Sequence, residues 1–314
     1  MTPSDASGPA ARLSGFRELL LEDKPFFDEL FKAEDPDISE YTFSNLFVWR
    51  RPRGILVRRD AATAVLTAVY EGKYFILPPL GFPDIVSAYR GMFRAFRGDA
   101  NFGGALKIPE RHAAGLREAG FVLEEDRDNF DYLYSTDDLA SLKGRHYDGK
   151  RGFLRKFYDN YESEFTTYTV RYKEACLKLT REWAARKTPS ASPSDVRGFQ
   201  DEFEAVRDYL DHLAELHCCG CILTVDDKVV AFTFGEQLNH DTFVIHFEKG
   251  DTDYSGVYQA VNQQFVRNAV LGRCPFVNRE QDMGIEGIRK AKMSYRPVKF
   301  VAKYRIPVDK NLSI

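Results

Sequence analysis

One order of elements occurs twice along this chain. From Phe16 the apolar pattern predicts helices, then three strands over 54–57, 64–70 and 73–77, with Glu71-Gly72 as the clearest tight turn. A helix over 85–96, a strand over 106–108, a helix over 111–119 and strands ending at 123 and over 130–134 follow. From Leu177 the order begins again. Helices over 177–185 and 203–217 precede strands over 221–225, 229–236 and 242–247, with Asp226-Asp227-Lys228 as a hairpin turn. Then come a helix opened by Ser255-Gly256, a strand over 275–277, a helix over 284–294 and a strand over 300–304. No residue-level repeat accompanies this. Element order largely decides fold class, so the expectation is two copies of one α/β unit. The expected divisions are a disordered tail over 1–14, a first unit over 15–142, a basic helical connector over 143–165, and a second unit over 166–314 that carries the site.

A chain of 314 residues is long enough for two cores. Hydrophobic residues at 44% and charged residues at 29% exclude a disordered protein. The formal net charge of -3 gives no global pull toward nucleic acid or an anionic membrane, so such binding requires a local patch. No run of about 18 apolar residues is present to form a spanning helix, and the polar start lacks the apolar segment of a signal peptide. Five cysteines, an odd number, point to a reducing cytoplasm.

Charged side chains cluster where strands end and helices begin, the usual place for ligands in open α/β sheets. The apolar run Val244-Ile245-His246-Phe247 stops at Glu248-Lys249-Gly250-Asp251, and the strand ending at Val277 runs into Asn278-Arg279-Glu280-Gln281-Asp282. Glu248, Glu280 and Asp282 are candidates to deprotonate or orient an attacking amine. Lys249, Arg279, Arg289 and Lys292 are candidates to neutralise a phosphate or a developing oxyanion. Tyr295 is a candidate general acid or hydrogen-bond donor. The same interleaving of acids and bases also suits an internal salt-bridge network. His246, inside an apolar strand, reads as a packed histidine.

Between the two units, Lys143, Arg145, Lys150, Arg151, Arg155 and Lys156 face one acid, Asp148. Arg145, Lys150, Arg151 and Arg155 are the candidates there for a nucleic-acid or lipid phosphate, while Phe153, Leu154, Phe157 and Tyr161 form an apolar stripe. The composition of 188–194 reads as a mobile loop. Ser255 and Gly256 are candidates to cradle a cofactor pyrophosphate at a helix start, with Asp251 and Asp253 opposing an anion. The Cys218-to-Cys221 spacing has no second pair beyond Cys274, so no metal site is expected.

The block Asn278-Arg279-Glu280-Gln281-Asp282-Met283-Gly284-Ile285, with Arg289-Lys290-Ala291-Lys292 and Ser294-Tyr295-Arg296-Pro297, resembles the signature of the phosphatidylglycerol lysyltransferase C-terminal domain-like family. Phe43 to Trp49, Lys143-Gly144-Arg145, Ala231 to Glu236 and His246-Phe247-Glu248-Lys249 add weaker matches, and the resemblance covers 16–305. It implies an α+β chain of two tandem GNAT-like (acyl-CoA N-acyltransferase) domains, each a mixed, mostly antiparallel sheet flanked by helices. It also implies kinship with Fem-type aminoacyltransferases, which move an aminoacyl group from aminoacyl-tRNA to an amine or hydroxyl. The acceptor would be a small molecule, a peptide or a lipid head group, and no cofactor would be required. The usual Arg/Gln-x-x-Gly-x-Gly/Ala phosphate loop is missing, yet a coenzyme A thioester donor remains the alternative, and a non-catalytic binding protein a second one. The lipid synthases carry a multi-span membrane domain ahead of this region. None is expected here, which leaves the lipid acceptor open.

Overall fold

The computed structural model describes residues 13–308. Nearly all of the tail expected over 1–14 lies outside the described residues. The chain divides into two units, one made of the residues up to Phe130 together with those from Val301 onward, the other of Asp131–Phe300.

In chain order the first unit contains β1 (Arg17–Glu18), α1 (Lys24–Glu34), α2 (Phe43–Trp49), β2 (Leu56–Arg59), β3 (Ala64–Tyr70), β4 (Lys73–Ile76), α3 (Ile85–Ala95), β5 (Phe102–Pro109), α4 (Glu110–Glu118) and β6 (Glu124–Glu125). The second begins with β7 (Asp131–Ser135), α5 (Thr136–Ser141), α6 (Asp148–Asn160), β8 (Ser163–Thr167), α7 (Lys173–Lys187), α8 (Pro193–Asp211) and α9 (Leu213–Leu216). It continues with β9 (Cys219–Val225), β10 (Lys228–Gln237), β11 (Thr242–Gly250), α10 (Val257–Phe265), β12 (Phe276–Asn278), α11 (Glu286–Met293) and β13 (Lys299–Val301). The last strand, β14 (Lys303–Pro307), belongs to the first unit's sheet.

The two seven-stranded sheets have matching orders: β1-β2-β3-β4-β5-β14-β6, and β8-β9-β10-β11-β12-β7-β13. In each, the fourth and fifth strands form a parallel pair, β4 with β5 and β11 with β12, while the first four strands pair antiparallel. The fold is therefore two mixed, mostly antiparallel sheets flanked by helices.

The division differs from the expected 142/143 boundary. The sixth strand of the first sheet, β14, comes from the C-terminal end of the chain, and that of the second, β7, comes from the middle. Each carries its own apolar alternation, so local pattern finds it, but its pairing partner is a matter of tertiary structure. The expected single strand over 300–304 is split at Ala302, because β13 and β14 serve different sheets. The connector expected over 143–165 is α6 and the start of β8, the first strand of the second sheet. The loop expected over 188–194 is instead a short turn into α8, whose start is fixed by a capping box between Ser192 and Asp195 with Pro193 in the first turn. The helix expected from Phe16 begins only at Lys24, behind β1.

The second unit's core on the α10 side joins Tyr132, Tyr134, Leu154, Phe157, Leu223, Phe243, Ile245, Val261, Phe265 and Val277. In the first unit aromatic rings do much of this work. Phe93, Phe96, Phe102 and Tyr74 form a run of edge and tilted contacts, and Phe27, Phe31, Phe43 and Tyr41 form another.

Candidate functional site

The parallel pair β11–β12 lasts three residues: Thr242 opposite Phe276, Phe243 opposite Val277, Val244 opposite Asn278. Beyond that, β11 continues to Gly250 against β10, while the chain after Asn278 turns away with left-handed residues at Glu280 and Met283. The strands splay at their C-terminal ends. What fills the gap is charged.

A β-bulge decides which residues point there. Phe234 pairs with Phe247 and Gly235 with Ile245, so His246 is an extra residue on β11. Gly235 permits it, since a Cβ there would stand 2.2 Å from the Val244 carbonyl oxygen. Before the bulge, Phe243 and Ile245 face the α10 core. After it the alternation is reversed. Phe247 and Lys249 face α7 and α8, with Phe247 against Tyr209, and Lys249 2.7 Å from Glu202 and 3.5 Å over the Trp183 ring. Glu248 takes the α10 side.

There Glu248 Oε1 accepts from Arg279 Nη2 at 2.9 Å, and Oε2 accepts from Asn262 Nδ2 at 2.9 Å. Asn262 is 1% exposed and its Oδ1 has no hydrogen-bond partner; nor has Arg279 Nη1. These two open atoms, one acceptor and one donor, flank a single carboxylate. Arg279 also lies 4.8 Å from the centroid of the Tyr295 ring and 5.7 Å from that of Tyr134. Burial disfavours the guanidinium, but Glu248 more than compensates and holds its pKa above the ordinary value. Burial pushes the Tyr295 phenol up to about 12 against the pull of Arg279, so at neutral pH the hydroxyl keeps its proton. Lys150, from α6, covers the same ring at 3.9 Å and donates to Ser294 Oγ at 2.6 Å.

The bulge residue forms a second cluster. His246 Nδ1 lies 2.8 Å from Glu280 Oε1 and Nε2 lies 2.9 Å from Glu236 Oε1. Burial works against the imidazolium, yet the two carboxylates hold its pKa up at about 9. Glu280, itself buried, stays above the ordinary carboxylate value in spite of His246. His246 is thus packed in its strand, as expected, and is in addition a charged clamp between β10 and the loop after β12.

The remaining predicted residues of the block hold the loop together. Asp282 is fully buried, takes two bonds of 2.9 Å from Arg289, accepts from Tyr132 OH and from the Gly284 amide, and is pulled down to about 2 against the cost of its burial. Lys292 donates to the carbonyls of Arg279, Glu280 and Gln281, which engages all three of its N–H bonds. Burial, with Arg279 nearby, lowers its pKa to about 8. The structure thus assigns Asp282, Arg289 and Lys292 to the internal-network alternative. Glu280 is shared between His246 and that loop.

Elsewhere the expected anion sites are partly occupied by protein. Arg151 is bound to Asp148 and to the carbonyls of Leu142 and Gly144. Arg145 and Arg155 are exposed. Ser255 and Gly256 do precede a helix, but a Cβ at Gly256 would stand 2.3 Å from the Phe153 carbonyl oxygen, so α6 lies directly against this turn. Asp251 beside it is buried and bound to Arg186 and Lys228. Among the described residues no group of three or more His, Cys, Asp and Glu forms a metal-ligand set, and no helix is long and apolar enough to cross a membrane. All five cysteines are free.

Sequence reasoning missed Asn262, Glu236 and the role of His246. Asn262 did leave a signal: Asn262-Gln263 interrupts the apolar face made by Val257, Ala260, Val261 and Phe265, and both amides are buried.

A family model described as "Phosphatidylglycerol lysyltransferase, C-terminal" matches residues 31–306. A crystal structure of a conserved protein of unknown function from Bacteroides thetaiotaomicron is similar with a TM-score of 0.84 and 31% identity, covering 93% of this chain and 98% of that one. The C-terminal domain of a putative lysylphosphatidylglycerol synthetase from Agrobacterium fabrum gives a TM-score of 0.63 at 13% identity, covering 93% of this chain and 94% of that one. The structure of L-PGS from Bacillus licheniformis gives a TM-score of 0.59 at 13% identity over 86% of this chain and 95% of that one. At this identity the last two speak for the fold alone. An uncharacterised protein of Mycoplasmoides gallisepticum is 26% identical over 204 residues, 60% of this chain and 58% of its own length.

Proposed function

Because the chain belongs to the phosphatidylglycerol lysyltransferase C-terminal family, we propose that it is an aminoacyltransferase working at the splayed end of β11 and β12. The donor is aminoacyl-tRNA and the acceptor an amine or hydroxyl. One observation carries this reading: Arg279 Nη1 and Asn262 Oδ1 are open, buried or nearly so, and held on either side of Glu248. An unpartnered polar atom in a protein interior is costly and calls for an explanation; a donor and an acceptor left so beside one carboxylate suit a ligand that supplies both partners.

An aminoacyl ester offers what both atoms lack. Its carbonyl oxygen, which gains negative charge during attack, accepts from Arg279 Nη1. Its α-ammonium donates to Asn262 Oδ1, with Glu248 supplying the nearby negative charge. The Tyr295 hydroxyl, protonated at neutral pH, adds a second donor. Lys249, bound to Glu202 on the other face, takes no part. The exposed Arg145 and Arg155 of the basic segment supply the contact to the tRNA backbone. A lipid head group, a peptide and a small molecule all fit the acceptor class.

The test is transfer of labelled amino acid from a mixture of charged tRNAs to amine and hydroxyl acceptors. Arg279→Lys keeps the charge but loses the fork, and is expected to transfer at least about 100-fold more slowly at an unchanged melting temperature. Wild-type rates in that variant would sink the site. Acetyl-coenzyme A is the control: a ligand at a hundred times its dissociation constant adds about 2.7 kcal/mol. A clear melting shift with it would favour an acyl-coenzyme A donor. Failure to engage either donor would favour a binding protein that keeps the fold without the chemistry.

A further inference from the structure

Lys150 is the one cation of the basic segment that turns inward onto the site. It sits in the first turn of α6, and its ammonium lies 3.9 Å over the Tyr295 ring with Ser294 Oγ as hydrogen-bond partner. It has no ion pair among the described residues, although Asp148 lies two positions earlier on the same helix, because Asp148 is engaged by Arg151. The Arg279 guanidinium lies against the same aromatic ring. The ring face favours the ammonium, but a partly buried lysine beside a second cation and away from any carboxylate of its own is placed to lose its proton rather than to hold a phosphate.

We propose that Lys150 is the general base of the transfer, receiving the proton that the acceptor loses as it attacks. This rests on the aminoacyltransferase reading. The neutral Nζ takes the proton from the acceptor N–H or O–H while the acceptor atom bonds to the ester carbonyl carbon. The carbonyl electron pair moves onto oxygen, facing Arg279 Nη1. When the tetrahedral species collapses, the bond from carbon to the ribose oxygen breaks and Lys150 returns the proton to that oxygen. The balance closes with donor, acceptor and enzyme alone.

The groups facing Lys150 agree with this role. The end of α11 contributes Ser294 and Tyr295, whose phenol is neutral. The loop after β12 contributes Arg279, whose own carboxylate partner is Glu248. Burial and then Arg279 lower the Lys150 ammonium to about 8.

Two measurements test the assignment. The first is competitive labelling of the intact protein with trace acetic anhydride from pH 6 to 11, read lysine by lysine in a mass spectrometer. It needs no substrate. Lys150 should gain reactivity about two pH units before the exposed lysines. The second is the transfer rate of Lys150→Arg, which keeps the positive charge but cannot act as a base near neutrality. It should fall at least about 100-fold, with an unchanged melting temperature and an unchanged salt dependence of tRNA binding. Titration of Lys150 together with the exposed lysines overturns the proposal, and so does a Lys150→Arg variant that transfers at the wild-type rate. If the wild-type protein transfers from no charged tRNA, the transferase reading falls and this role with it. The labelling midpoint tells that failure apart from a misassigned base.

Discussion

The parallel strand pair of the first unit and that of the second share a scaffold but not its contents. In the second unit the last paired residues are Val244 and Asn278, and in the first they are Ile76 and Ala105. Two residues beyond Asn278 stands Glu280 with φ 57°, and two beyond Ala105 stands Lys107 with φ 60°. There the likeness ends. After Ile76 the first unit places Leu77-Pro78-Pro79-Leu80. Leu80 bridges back to Ala64, and Tyr41 closes on the Pro78 carbonyl. Its charges face one another: Glu40 lies between Lys303, 2.5 Å away, and Lys107, 3.1 Å away, and these lysines hold it down at about 2 against the cost of its burial, although its Oε1 has an ion-pair partner and no hydrogen-bond partner. In the second unit β11 runs on through a bulge and puts Glu248, Arg279 and Asn262 into the gap with two polar atoms open. One splay is closed by prolines and an ion cluster with two lysines on one carboxylate, while in the other a donor and an acceptor beside one carboxylate lack hydrogen-bond partners. That difference is the reason for locating chemistry in the second unit.

Several experiments would break or sharpen the contrast. The largest effect belongs to the sealed end. Lys303→Met leaves Glu40 buried with half its compensation and should cost roughly 3–5 kcal/mol in denaturant melts without changing transfer. A loss of activity in a well-folded variant would mean that the first unit takes part in catalysis. Next is Asp282→Asn, which weakens the Arg289 pair and should cost roughly 2–3 kcal/mol. Asp282 titrates at about 2 in the fold and near 4 when unfolded. Its stabilisation is complete above pH 4 and is lost as the pH falls toward 2, so the variant should lack that acid-side slope in melting temperature.

The two buried histidines should then respond in opposite directions. Carboxylates keep His246 at about 9, above its unfolded value near 6.5. The stability it supplies is complete below pH 6.5 and is lost as the pH rises to 9. Burial, helped by Arg111, takes His112 in the first unit down to about 4. Its neutral form is the native one, so stability is lost as the pH falls from 6.5 to 4. His246→Asn should flatten the alkaline limb alone, and His112→Asn the acidic limb alone, in melting temperatures recorded across that range. A single limb affected by both would undo the contrast. The smallest stability effect belongs to Asn262→Ala, about 1 kcal/mol. Its transfer rate should nonetheless fall about tenfold or more. Unchanged transfer there would remove the argument from open atoms.

Much of this was legible in the residues. The repeated order of elements announced two like units, and the Asn278 to Pro297 block named the family before any coordinates. Glu248 and Arg279 were singled out because charge at the ends of buried strands needs an explanation, and the structure pairs them with each other. Lys292 and Arg289 were found for the same reason and turned out to hold a loop, since sequence does not say whether an acid and a base face each other or face a ligand. The ion pairing of His246 was not foreseen because a β-bulge leaves little trace in local pattern: one extra residue opposite Gly235 reverses the alternation and hands the inward place to Glu248.

What the sequence determined by itself is what short-range periodicity and composition carry: most of the strands and helices, their order, and the family. Only the tertiary structure decided which strand completes which sheet. β7 and β14 pair with sheets whose other strands lie mostly far from them in sequence, because a strand satisfies its hydrogen bonds with any edge of matching register, near or distant. Only the tertiary structure, too, separated the charges that satisfy one another from polar atoms left without a partner, such as Asn262 Oδ1 and Arg279 Nη1. That distinction rests on distances of a few ångströms between residues such as Glu248 and Arg279, 31 positions apart.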